Sequence, residues 1–275
     1  MILRRAALWL GLAWLGPVAA GAADLAYRPY MPPPTGTSDT YIVTLSANGV
    51  FSPSFPGSDK LTGFVFPSLS FRRSDEPARF TAPDDGISVS ILDNPTFRIG
   101  PVFRYQPGRY LSDDRRLFGL RKLNWDVEGG IFVEYWPLNF IRARIEARHG
   151  FRDRTGFVGN VGIDYVQPYD RFTFSLGPRL SFGDERYTRR YFGVIPSEAA
   201  LNPRLFPFRP DGGVTALGAL AAVTYEWNQT WATTGYLGYD RLIGDVADSP
   251  IVRRIGSENQ FTFGAKLSYS FNFTP

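Results

Sequence analysis

Between Asn259 and Phe273 the side chains alternate without a break. Phe261, Phe263, Ala265, Leu267, Tyr269, Phe271 and Phe273 occupy the odd positions. Thr262, Gly264, Lys266, Ser268, Ser270 and Asn272 lie between them. Successive side chains of a strand point to opposite faces, so one face is apolar and the other polar or small. A half-buried strand of a soluble sandwich alternates in the same way. Length separates the two cases: soluble strands run about 5–6 residues, whereas a tilted membrane-crossing strand needs about 9–11. Aromatic residues at both ends of the apolar face match the two girdles of an outer-membrane barrel. The stretch predicts an all-β chain folded as a closed antiparallel transmembrane β-barrel, with lipid outside and polar groups within.

Hydrophobic residues make up 44% of the chain and the mean hydropathy is −0.16, values that resemble those of a soluble protein. A barrel conceals its signal in this way, because lipid-facing and lumen-facing residues average out along each strand. The absence of Cys excludes disulfides, thiolate metal sites and lipid attachment through an N-terminal Cys. Residues 1–23 read as a signal peptide: a basic start at Arg4-Arg5, an apolar core from Ala6 to Gly16, and small residues up to Ala23. The formal charge of +4 includes those two arginines, and the remaining balance of about +2 does not suggest nucleic acid. Residues 24–38 carry Pro29, Pro32, Pro33 and Pro34 and read as an extended periplasmic leader. Residues 39–273 are expected to form the barrel. No later run reaches 18 apolar residues, so no transmembrane helix is expected.

Period-2 alternation predicts strands at 41–48, 61–71, 78–83, 87–92, 97–106, 125–135, 141–151, 157–166, 172–182, 214–227, 231–239 and 259–273. That is twelve, the even number expected of a bacterial barrel, with ten the alternative. The 78–83 strand rests on a tight Asp84-Asp85-Gly86 turn. Counting back from a periplasmic C-terminus puts the short turns at 137–139, 168–170 and 228–230 on the periplasmic side. It puts the long loops at 107–122, 184–212 and 241–258 outside, the asymmetry typical of such barrels. Pro67, Pro101 and Pro178 fall within strands and each removes a ladder donor, so bulges or gaps are expected there.

The segment Arg241 to Val252, with Asp248-Ser249-Pro250-Ile251-Val252 as its most specific part, resembles the MipA/OmpV family of Gram-negative outer-membrane proteins. Pro56-Gly57-Ser58 and Tyr191-Phe192-Gly193-Val194 carry the same resemblance, which runs over roughly the whole chain after the leader. The resemblance implies an outer-membrane location. It also implies a scaffold role in cell-envelope upkeep, linking a murein transglycosylase to a murein synthase (the peptidoglycan enzymes). It carries over no catalytic residue and no cofactor.

Among site candidates, the inward face of the strands around 137–139 stands out, with Asp126, Glu128, Glu134, Arg142, Arg144, Glu146 and Arg148. A charge at mid-depth on the lipid face costs about 2–4 kcal/mol, so these residues belong in the lumen. There they either line a selective pore for small polar solutes or fill the lumen as an ion-paired plug, with the 184–212 loop narrowing it further. Glu128 and Glu134 are about 20 Å apart along a strand, too far to act as a glycosidase acid–base pair. His149 is the single histidine, and its parity puts it on the lipid face, which disfavours an outer-membrane hydrolase. Asp245 and Asp248 could hold Ca²⁺ only weakly, so no metal site is assigned. The loops at Pro56–Ser58, Phe192–Val194 and Asp248–Val252 either bind a partner or cap the barrel mouth by packing on one another. The signal-peptide reading expects a protein that begins at Asp24 or within a few residues of it. Intact mass of the outer-membrane species checks this, and retention of Met1 to Ala23 would contradict it.

Overall fold

The computed structural model describes residues 39–152 and 156–275, so the expected signal peptide and Pro-rich leader lie outside the described residues. The fold is an all-β antiparallel barrel of twelve strands. They are β1 (Tyr41–Pro53), β2 (Leu61–Arg73), β3 (Ile87–Ser88), β4 (Leu92–Asp93), β5 (Phe97–Gln106), β6 (Asp126–Leu138), β7 (Ile141–Gly150), β8 (Phe157–Tyr169), β9 (Phe172–Gly183), β10 (Gly213–Glu226), β11 (Trp231–Leu242) and β12 (Asn259–Phe273). Ten are long enough to cross a bilayer. β3 and β4 have two residues each and together form a broken edge along β5. No helix among the described residues is long and apolar enough to cross a membrane.

The ladder runs β2-β1-β12-β11-β10-β9-β8-β7-β6-β5-β3, with β4 also on β5. β1 and β12 pair through eleven residues, from Tyr41 opposite Phe273 to Phe51 opposite Phe263, and so bring the two ends of the barrel sequence together. The alternation of β12 is obeyed in space: each odd position from Phe261 to Phe273 is exposed, and the even positions from Gln260 to Ser270 point inward. Aromatic pairs ring both rims. Phe172–Tyr225, Trp231–Tyr269 and Phe140–Tyr165 lie at the end with the short turns. Tyr105–Trp125, Tyr239–Phe261 and Phe51–Phe263 lie at the end with the long loops.

Two expectations change. Residues 78–83 form no strand; the segment turns into the lumen, where Asp84 and Asp85 meet arginines of the opposite wall. In consequence the ladder among the described residues is not a complete ring, and β2 and the β3–β4 edge are its two ends. Two of the three prolines mark irregularities; at Pro67 the β1–β2 register runs unbroken. Pro101 lies opposite the break between β3 and β4. Pro178 lies at a gap in the β8–β9 register, between Arg179 and Leu176. Pro67 is on the strand with a free edge. The loops at 184–212 and 241–258 are ordered into short helices, α1 (Glu185–Phe192), α2 (Pro196–Leu201) and α3 (Asp245–Asp248), with a wide turn at Ile251–Ile255.

Ile145 is exposed at mid-strand on the outer face of β7, between inward-pointing Arg144 and Glu146. Ile145→Arg places a charge in hydrocarbon at a cost of about 2–4 kcal/mol. The variant is expected to insert poorly, measured as loss of the compact unboiled band in outer-membrane fractions.

Candidate functional site

The site grows from the inward faces of β6 and β7. Asp126, Glu128 and Glu134 point inward from β6, and Arg142, Arg144, Glu146 and Arg148 from β7. All seven are buried. The two strands are joined by a tight turn and pair antiparallel, so their polar faces coincide and Glu134 lies opposite Arg144.

The arginines interlock with more than one carboxylate each. Arg142 reaches Glu134 (2.9 Å), Asp164 (2.9 Å) and Asp85 (2.5 Å). Arg144 reaches Glu134 (3.2 Å), Glu146 (3.0 Å) and Asp85 (3.4 Å), and its guanidinium lies 4.0 Å from the centre of the Phe132 ring. Arg148 pairs with Glu128 (3.1 Å) and Glu146 and donates to Asn160. Arg98 joins Glu134 at 3.3 Å and Arg104 joins Glu146 at 3.1 Å. Asp126 sits nearer the loop end, where its carboxylate accepts from the backbone N–H groups of Val127 and Arg152. Charges taken out of water are tolerated only when they are paired and their remaining donors are met. Six arginines (98, 104, 142, 144, 148 and 179) face six carboxylates (Asp84, Asp85, Glu128, Glu134, Glu146 and Asp164), so this network balances its own charge.

The segment 83–86 completes the network. Asp84 is forked by Arg179 at 2.7 and 3.2 Å, its carbonyl accepts from Arg104 at 2.6 Å, and the Gly86 N–H donates to Glu146 at 3.0 Å. Phe80 follows Asp84 and Asp85 inward, edge-on to Trp136 and beneath Arg142. The opposite wall, on β1, β2 and β10 to β12, is built differently. Thr44 bonds Ser270 at 2.7 Å, Ser46 bonds Ser268 at 2.9 Å, and Thr224 bonds Thr234 at 2.8 Å. Between the two walls remains a cavity of about 390 Å³, bounded by Arg104, Arg179, Asp84, Tyr236, Asp240 and Phe66.

Reading the sequence did not single out Asp84, Asp85, Asp164 or Arg179 for this cluster. Asp164 and Arg179 carry the signal that places their neighbours inward, a charge between apolar positions of a strand. Asp84 and Asp85 carry none, because their partners lie 57 to 95 residues away. The narrowing of the lumen at mid-depth comes from 83–86; the 184–212 loop lies over the mouth instead.

The loop motifs pack on one another at that mouth. Phe192, Val252 and Val246 form one apolar cluster with Ala216 and Leu242 of the barrel rim. Phe55, Val194, Ile251 and Ile255 form a second with Leu117 and Leu205. Gly57 has φ +90°, and a Cβ there would stand 2.9 Å from the Val252 side chain. A Cβ on Gly256 would stand 1.7 Å from the Gly57 carbonyl oxygen, so both positions need glycine. Gln260 fastens the first motif to the last strand: its Oε1 accepts from Gly57 N–H and its Nε2 donates to the Ser58 carbonyl. The Ser249 hydroxyl donates to the Phe192 carbonyl at 2.7 Å, tying the second motif to the third. Gly193 and Pro250 are buried within this cap, Pro56 is half-buried, and Asp248 stands outside it, paired with Arg253. Asp114 joins Lys60 and Arg116 across the loops, and the Arg116 hydrogen bond holds its carboxyl well below the usual carboxylate range. Burial in the cap pushes the Tyr191 hydroxyl up to about 12. His149 lies edge-on to Phe157, 4.8 Å between ring centres. Asp245 accepts from the Asp211 N–H.

Arg144→Leu removes the cation between Glu134 and Glu146. Breaking a buried pair from one side typically costs about 3–5 kcal/mol. The variant should unfold at a clearly lower temperature on a cold-versus-boiled gel. Thr234→Ala, which loses one neutral hydrogen bond worth about 1 kcal/mol, should shift it little.

Among known proteins, the chain is similar to Outer membrane protein Omp26La of Vibrio anguillarum, 31% identical over 112 residues that cover 40% of this chain and 41% of that protein. Outer membrane protein OmpV of Vibrio cholerae serotype O1 matches with the same figures. The chain thus spans about two fifths of the length of the curated relatives it matches. Of solved structures, the NanC porin aligns at TM-score 0.43 and 11% identity, covering 82% of this chain and 100% of that one. The KdgM porin aligns at 0.37 and 13%, covering 84% and 99%. The family model described as MltA-interacting protein MipA matches residues 45–271, and the chain belongs to the MipA family of outer-membrane proteins.

Proposed function

We propose that this outer-membrane barrel is a non-enzymatic scaffold in murein maintenance, holding a murein transglycosylase and a murein synthase near the membrane. The observation that carries this reading is the filled lumen. Residues 83–86 and a neutral arginine–carboxylate network occupy its middle, and a packed cap covers its mouth. A barrel plugged at mid-depth offers surfaces rather than passage. The family description, an MltA-interacting protein, supplies the class of partner.

The motif loops are consumed by cap packing, so partner contacts fall to the turn end, which the short-turn rule puts in the periplasm. Trp227, Tyr169 and Leu138 are exposed there. His149, set against Phe157 on the outer side of β7, supports a non-enzymatic role. The cavity of about 390 Å³ beside the plug favours a second reading, a narrow pore for small polar solutes.

Crosslinking in intact envelopes, followed by identification of the captured proteins, tests the scaffold. A murein transglycosylase or synthase is expected, with capture reduced by Trp227→Ala combined with Tyr169→Ala. Recovery of no murein enzyme would refute it.

A further inference from the structure

Both ends of the ladder are unfinished. Among the described residues, β2 has a strand neighbour only in β1, and the broken β3–β4 edge has one only in β5. The most open apolar side chains lie along these edges, with Val65 86%, Ile91 83% and Ile87 79% exposed. Hydrocarbon offers unpaired backbone groups no partner, so a lipid-facing barrel has to satisfy such edges.

Chain direction limits how this can happen. β2 is antiparallel to β1, and β3 and β4 are antiparallel to β5. β1 and β5 both run from the turn end to the loop end, so β2 and β3–β4 run the other way, parallel to each other. An antiparallel sheet closes here only through one more strand running from turn end to loop end. Residues 77–83 lie between the two edges in sequence and run in that direction. Their pattern is that of a barrel strand: Ala78, Phe80 and Ala82 alternate with Arg79 and Thr81. No backbone hydrogen bond joins them to β2 or to β3–β4 among the described residues.

We propose that residues 77–83 exchange between two positions, the plug seen in the lumen and a closing strand between β2 and the β3–β4 edge, and that the second opens a narrow pore for small anions. A two-residue turn at Ser74-Asp75 sets Phe80 opposite Leu69 and Ala78 opposite Phe71 on the lipid face. Arg79 and Thr81 then face the lumen opposite Ser70 and Ser68. The exchange supplies ladder bonds to both free edges. It also leaves no wall arginine stranded, since each one that grips the plug has a wall carboxylate as well. Arg142 keeps Glu134 and Asp164, Arg144 keeps Glu134 and Glu146, Arg104 keeps Glu146, and Arg179 keeps Asp164. With Asp84 and Asp85 withdrawn, Arg98, Arg104, Arg142, Arg144 and Arg179, together with Arg79 and inward Lys266 of β12, face Asp93, Glu134, Glu146, Asp164 and Asp240, seven positive charges to five negative. The constriction becomes cationic and favours anions. The inference concerns the barrel itself and stands whether or not murein enzymes bind.

The chain contains no Cys, so introduced pairs report without interference. T81C/S68C traps the strand position by oxidation. F80C/W136C and D84C/R179C, each bridged by a short thiol crosslinker, trap the plug position from two sites. Each variant is first checked for a compact unboiled band. In outer-membrane vesicles both kinds of crosslink are expected. In planar bilayers the T81C/S68C-trapped protein should show anion-selective steps that vanish on trapping the plug. Failure of T81C/S68C to crosslink while a plug pair crosslinks fully, or a strand-trapped protein that does not conduct, would overturn the proposal.

Discussion

A guanidinium enclosed by a narrow barrel has lost most of its water, and only carboxylates and hydrogen-bond acceptors can replace it. Arg142 shows how far this fold goes to meet that need. It takes carboxylates from a neighbouring strand on each side, Glu134 and Asp164, and a third, Asp85, from a segment that enters the lumen. The same rule, applied to Arg144, Arg148 and Arg179, ties β5 to β9 into one wall. The plug is held because its aspartates satisfy that wall. The opposite wall, lined by hydroxyls and small residues, needs no such filling, and the cavity lies against it.

The closed cap follows a separate logic. Its loops reach across the mouth and bury Phe55, Phe192, Val194, Ile251 and Ile255, an apolar core outside the membrane span. Glycines 57 and 256 allow the backbones to approach closely, and Gln260 and Ser249 provide hydrogen bonds where they cross. The segments that carry the family resemblance are thus those that pack on one another at the mouth.

Much of this was legible in the sequence. The period-2 alternation of residues 259–273 and of 141–148 fixes which side chains meet lipid, because any other register would put Arg142 or Arg144 into hydrocarbon. The fate of residues 78–83 was not legible. Ala78, Phe80 and Ala82 alternate as a strand should, and nothing local says that Asp84 and Asp85 will be drawn inward by arginines on β7 and β9. That outcome depends on contacts between distant parts of the chain. The short helices over the mouth did leave local marks. Asp184 caps α1 by accepting from Tyr187 N–H, Pro196 opens α2, and the Glu198 carboxylate accepts from Ile195 N–H, a pattern of helix starts inside what reads as loop.

Ion pairs of Arg142, Arg144 and Arg179 with Asp84 and Asp85 fill the lumen at mid-depth, and the proposed function depends on that filling. Planar-bilayer recording on purified wild-type protein tests it most directly. A barrel filled in this way should leave the membrane closed for most of the record, with brief steps at most. A steady, ohmic conductance present from the moment of insertion would contradict it.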